Sequence, residues 1–175
     1  LQTRWVAPCV AGWVRLPFPS ATRLLAARSP QPNSEMDFPA DLHYLIEHQV
    51  WARLDGDGSA TVGVTALGIR QSGEIFMCRP QRVGKRVEQG RSVAVVELAK
   101  SIVSIKSPVT GHVIAINEQL EHRPELVHLD PYGDGWVARI EVEDFAADQV
   151  QLLHGDAVVP AMVEHARLNR IEWTP

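Results

Sequence analysis

The stretch that decides the fold is Ser92-Val-Ala-Val-Val-Glu97-Leu98-Ala99-Lys100-Ser101-Ile102-Val-Ser-Ile-Lys106-Ser107-Pro108-Val109-Thr110-Gly111. Two runs rich in β-branched residues, Ser92–Glu97 and Ile102–Lys106, stand either side of a short break, and Pro108 and Gly111 close the second. Runs of this length bounded by turn residues read as strands, and two this close together read as a hairpin. The hairpin puts Lys100 at or near its tip, where the side chain extends into water on its flexible stem and is open to an acylating enzyme. A lysine beside a turn is ordinarily only a solubilising residue, so the position alone assigns no function. Lys106 falls inside the second run and is the less exposed of the two.

Val50–Leu54 and Ser59–Thr65 are β-rich runs around Asp55-Gly56-Asp57-Gly58, a second hairpin signal. This turn is not an EF-hand loop: counting from Asp55, the sixth position is Ala60 rather than Gly and the twelfth is Ala66 rather than Glu. Glu74–Cys78, His112–Asn117 and Gly135–Glu143 complete the predicted strands, at intervals typical of small sandwiches and barrels. Asp144–Leu153 and Asp156–Arg170 read as helices. The second has Asp156 as its N-cap, Pro160 in its first turns, and Val159, Met162, Val163 and Ala166 on the face that packs on the sheet. The predicted architecture is one mainly β domain with a C-terminal helical flank.

The charge is unevenly spread along the 175 residues, whose formal net charge is −4. Residues 1–35 hold Arg4, Arg15, Arg23 and Arg28, the single acid Glu35 and five of the 12 prolines, whereas residues 36–175 carry 13 basic and 20 acidic residues, net −7. We read 1–35 as a non-globular extension and 36–175 as the folded domain. Met36 sits where the composition turns globular, so an over-extended gene start explains the extension; an organelle transit peptide is the alternative. The expected location is the cytoplasm, or the mitochondrion if the extension is a transit peptide. The acidic balance gives no footprint for nucleic acid or an anionic membrane, and no apolar run approaches the length of a membrane span. Two cysteines, Cys9 and Cys78, make neither a disulfide framework nor a zinc site.

The standard hydrolase, zincin, P-loop and dinucleotide signatures are missing, and no catalytic or metal-ligating residue is assigned. The seven histidines show no metal-type spacing; His122 and His128 flank an irregular stretch and could approach a site.

At Glu97-Leu98-Ala99-Lys100-Ser101 and Pro108-Val109-Thr110-Gly111 the chain resembles the glycine cleavage H-protein family, the lipoyl carriers of the biotinyl/lipoyl-domain superfamily. The resemblance extends in order through Thr61-Val-Gly-Val-Thr65, Gly73-Glu74-Ile75, Val83-Gly84, Val87-Glu88-x-Gly90, Asn117-Glu118, Pro124-Glu125-Leu126 and Asp130-Pro131-Tyr132-Gly133-Asp134-Gly135-Trp136. It covers about His48 to Arg139. The resemblance implies a flattened β barrel-sandwich hybrid in which Lys100 carries lipoic acid through an amide and Glu97 contributes to recognition by the lipoate ligase or lipoyl transferase. It implies a carrier, not an enzyme. The carrier would take an aminomethyl group from a pyridoxal-phosphate glycine decarboxylase to an aminomethyltransferase and be reoxidised by lipoamide dehydrogenase. Gly111, Gly133 and Gly135 are expected to supply turn geometry.

The chain also departs from that family. Where an acidic loop is usual it has Cys78-Arg79-Pro80-Gln81-Arg82-Val83-Gly84-Lys85-Arg86, which makes Arg79, Arg82, Lys85 and Arg86 candidate partner-docking residues. Leu98 replaces the usual Ser, and Ala66 the usual Asp. The alternatives are an H-like lipoyl carrier of another pathway, such as heterodisulfide-reductase-like sulfur oxidation, or an unmodified β binding module. Biotin is disfavoured because Ala99 and Ser101, not methionines, flank the lysine.

Overall fold

The computed structural model describes residues 37–173; the predicted extension 1–35, with Cys9 and the proposed start at Met36, lies outside the described residues. The elements are β1 (His43–Leu45), β2 (Val50–Leu54), β3 (Ser59–Val64), α1 (Ala66–Ser72), β4 (Ile75–Pro80), β5 (Arg86–Val87) and β6 (Ser92–Leu98). There follow β7 (Ile102–Lys106), β8 (Gly111–Ile116), α2 (Leu126–Leu129), β9 (Ala138–Val142), α3 (Phe145–Asp148), β10 (Leu153–His154) and α4 (Val158–Leu168). The strands form two antiparallel sheets that do not close into a barrel, a seven-stranded one in the order β10-β1-β2-β3-β9-β8-β5 and a three-stranded one in the order β4-β6-β7. The mainly β expectation holds.

Period-two patterning explains the layers. Cys78 and Val96 are cross-strand partners and both are buried, whereas their neighbours Arg79 and Val95, also partners, face out. Val93, Val96, Ile105, Val113, Ile140 and Val62 fill one core between the sheets. A second core gathers Phe38, Tyr44, Trp51 and Leu67 beneath α4, which contributes Val158, Met162 and Ala166. Trp51 ties this core to distant chain by donating Nε1–H to the carbonyls of Val64 (3.0 Å) and Pro131 (3.1 Å).

Several expectations need correction. Asp144–Leu153 is not one helix: Asp144 caps a four-residue α3 by accepting from Ala147 N–H at 3.1 Å, a 3-10 turn follows, and Leu153–His154 pair with β1 as a strand. Asp156 is not the N-cap of the last helix. It lies inside a 3-10 turn, and α4 starts at Val158 after Ala157, with no side-chain cap. The buried stripe is accordingly Val158, Met162 and Ala166, and Val159 is exposed. The Gly135–Glu143 run forms strand only over Ala138–Val142, because Asp130 organises the residues before it, its carboxylate taking Asp134 N–H and its carbonyl taking Gly135 N–H, both at 2.8 Å. Arg79 is a strand residue rather than part of a loop. Gly111 does not supply a turn: its φ is not positive, and a Cβ there would collide with the Glu141 carbonyl of the adjacent strand. Gly133 and Gly135 do lie in the turns that follow Asp130, and both also mark close approaches, to the Asp130 carboxylate and to the Leu126 carbonyl.

Candidate functional site

The β6–β7 hairpin forms as read. Glu97 pairs with Ile102, and Leu98 N–H donates to the Ser101 carbonyl at 2.8 Å, leaving Ala99 and Lys100 as a two-residue loop. Neither loop residue has a positive φ, so the turn is not one of the primed types that match strand twist best. The strands below hold it instead. β6 is sandwiched between β4 and β7, with Leu98 opposite Ile75, and Val93, Val96 and Ile105 anchor the hairpin in the core. Lys100 therefore projects into water from a rigid base; it and Glu97 are both exposed. Lys106 is half-buried.

The outward face of this small sheet carries apolar side chains. Ile102 is 72% exposed and Phe76, at a bulge in β4, 54%. On the other flank of the hairpin, between β7, α1 and the turn before β2, runs a cleft of about 320 Å³ whose walls include Glu47, Gln49, Ile69, Ile75, Val103 and Ser104. Val103, on the cleft wall, is three residues from Lys100, a span of at most about 10 Å.

Gln49 shapes the cleft and escaped the sequence reading. It is only 4% exposed and sits in the left-handed region at φ 54°, where it ends the 3-10 turn Ile46–His48. Its Oε1 accepts from Thr65 Oγ1–H at 2.6 Å and its Nε2 donates to the Ile46 carbonyl at 2.8 Å. A β-turn former such as Asn or Gly would have announced that conformation; Gln does not.

The basic candidates separate. Arg86 is ion-paired with Glu143 (2.8 Å) and Glu88 (2.8 Å), so its charge is spoken for locally. Arg79, Arg82 and Lys85 are exposed and, among the described residues, have no carboxylate within 4.0 Å. The two singled-out histidines part company too. His122 lines a second cleft of about 760 Å³ with Arg79 and Glu118, whereas His128 Nε2 accepts from Ile75 N–H at 2.7 Å. Burial lowers the His128 pKa, which keeps that nitrogen unprotonated and able to accept. Among the described residues no group of three or more His, Cys, Asp or Glu side chains forms a metal site, and no helix is long and apolar enough to cross a membrane.

The profile of the family described as "Glycine cleavage H-protein" matches residues 42–165. The chain belongs to that family. A glycine cleavage system H protein of Marinobacter nauticus is 44% identical over 108 residues, covering 62% of this chain and 82% of the relative. Glycine cleavage system H protein 2 of Aquifex aeolicus is 37% identical over 127 residues, covering 73% and 79%. The crystal structure of a glycine cleavage system H protein from Mycobacterium marinum superposes with a TM-score of 0.58 at 24% identity, over 76% of this chain and 99% of that one, and shares the fold. The family's matched span contains the hairpin, the cleft and the exposed cations, and leaves residues 1–41 outside it.

Proposed function

We propose that this protein is the lipoyl carrier of a glycine cleavage system, with Lys100 as the attachment residue. The observation that carries the reading is the placement of Lys100: one exposed lysine on a two-residue loop, held by strands whose other faces are locked in the core, beside a cleft within its reach. These residues fit the group. An amide at Nζ removes the charge, and the arm so formed can move between water and the cleft while its anchor stays still. The attached dithiolane supplies the redox and group-carrying chemistry, and the protein supplies position and shelter. Glu97, on the same strand end, serves recognition by the lipoate ligase or lipoyl transferase. Arg79, Arg82 and Lys85 are docking residues for an acidic surface on one of the partners, which on this reading are glycine decarboxylase, aminomethyltransferase and lipoamide dehydrogenase.

The test is intact mass after production in a lipoylation-competent host, followed by glycine-dependent CO2 exchange with a glycine decarboxylase. We expect one lipoyl group on the wild-type chain, none on Lys100→Arg, and exchange only with the modified form. An unmodified wild-type chain, or full modification of Lys100→Arg, refutes the attachment site. Modification without exchange, cured by changing Arg79, Arg82 and Lys85 to glutamate, assigns the carrier to another lipoate-dependent pathway.

A further inference from the structure

We propose that His43 and His154 form an acid-sensitive clasp that holds the C-terminal segment, β10 through α4, on the edge of the large sheet. β10 is two residues long and joins the sheet only through β1, with His43 opposite His154 and Tyr44 opposite Leu153. The two imidazoles stack with centroids 4.5 Å apart and planes at 29°, and Phe145 meets His43 in a T-shaped contact at 5.0 Å. His43 Nδ1 is buried without a hydrogen-bond partner. A proton added to His43 at Nδ1 therefore finds no acceptor in a buried site, with a second imidazole stacked against the ring.

The charged groups on the surrounding elements do not compensate. Asp144 is engaged in capping α3, and Asp148 is held by Thr110 N–H and Oγ1–H. Arg53, next to the β2 residue that pairs with His43, lies against Asp55. Asp41 and Asp156 reach neither ring: among the described residues His112 is the one histidine with a carboxylate within 4.0 Å. Burial, and then His154, lower the His43 pKa below its ordinary 6.5. The closed form thus binds fewer protons than the open one, so the clasp is intact above pH 6.5 and weakens as the pH falls through that value.

Opening it has a consequence at the cleft. β10 leads through the 3-10 turn Gly155–Ala157 into α4, whose Met162 Sδ lies 3.5 Å from Gln49 Nε2, and Gln49 forms part of the cleft wall. On the carrier reading above, acid would loosen the arm's shelter; the clasp itself does not depend on that reading, and its test uses the unlipoylated full-length chain.

Hydrogen exchange at pH 7.5, 6.5 and 5.5, corrected for the intrinsic pH dependence of exchange, reads the clasp directly. One proton taken up per opening raises the open population by at most about tenfold per pH unit. We expect protection over residues 153–168 to fall about tenfold between pH 7.5 and 5.5 while β3 and β9 hold theirs. His165 on α4 is the rival origin, since burial lowers its pKa too and its Nε2 is buried without a partner; His43→Phe should remove most of the response, whereas His165→Gln should leave the larger part of it. Should His43→Phe fail to fold, His154→Gln and the wild-type imidazole titration by NMR replace it: His43 titrates below 6.5 in the wild type and moves upward in His154→Gln. No acid response, a response unchanged in the His43 or His154 variant, a response carried by His165, or a His43 titration at or above the ordinary value overturns the clasp.

Discussion

Gln49→Ala probes the joint on which the cleft depends. The amide side chain closes two hydrogen bonds with oxygen, to Thr65 Oγ1 at 2.6 Å and to the Ile46 carbonyl at 2.8 Å, and a weaker one to Met162 Sδ at 3.5 Å, from a position that is 4% exposed. Truncation removes all three, the two with oxygen each contributing about 1 kcal/mol, and leaves the Thr65 hydroxyl proton without an acceptor in a buried site, a cost of about 1 kcal/mol or more. Thr65 Oγ1 continues to accept from Gly68 N–H at 3.0 Å, so the cap of α1 survives. The expected loss is about 3 kcal/mol, which at a urea m-value of about 1.5 kcal/mol/M moves the unfolding midpoint down by about 2 M. Urea unfolding followed by the fluorescence of buried Trp51 and by far-UV circular dichroism measures it. Thr65→Val and the double variant complete a cycle, in which the coupling energy should be about 1 kcal/mol because the two residues share one bond. A loss below about 0.5 kcal/mol, or additivity within about 0.3 kcal/mol, refutes the claim that this pair holds the cleft wall.

Gly111→Ala should destabilise by about 3 kcal/mol or more, since its Cβ would force β8 away from the Glu141 carbonyl in a paired register that cannot shift without turning side chains over; thermal melting with wild-type stability would show that the strands yield freely. Asp55 gives the acid limb a second origin. Burial alone would raise its pKa, but hydrogen bonds from Arg139 and Thr61 prevail and hold the carboxyl below its ordinary 3.8. A folded-state pKa below the unfolded one contributes stability that is present above about that value and lost as the pH falls through it. Arg139→Gln should therefore flatten the dependence of the urea midpoint on pH below 4, and an unaltered slope would place the acid sensitivity elsewhere.

The hairpin was legible because its two strands lie next to each other in sequence, so the turn and the alternation of Val93, Val96 and Ile105 were visible in one window. What escaped was made by distant partners. α1 is seven residues long with glycine at its third position, and its helicity rests on Leu67 entering the second core and Gly68 lying against Gln49. β10 exists only because β1, more than a hundred residues earlier, pairs with it. The exchange of Val158 for Val159 at the head of the buried face of α4, with Met162 and Ala166 as expected, follows from where the helix starts: the absence of a side-chain cap at Ala157 left its first residue unmarked. Arg86 looked like its basic neighbours until the fold brought Glu143 beside it, 57 residues along the chain.

Cys78 shows what the fold must prevent if Lys100 carries a dithiolane. Disulfide exchange requires a thiolate, and a protein thiolate within reach of the arm would open the ring and trap the carrier as a mixed disulfide with itself. Cys78 sits on β4, next to the strand that leads to the hairpin tip and directly opposite Val96. It is 2% exposed, and burial pushes its thiol up to about 12, so at neutral pH the sulfur is both uncharged and out of reach. The alternation of β4 decides this: Cys78 points into the core and Arg79 points out, and a slip of one residue would exchange them, presenting the thiol on the outward face that carries the tip. The same register that anchors Lys100 therefore keeps the one cysteine among the described residues from reacting with what the lysine is proposed to hold.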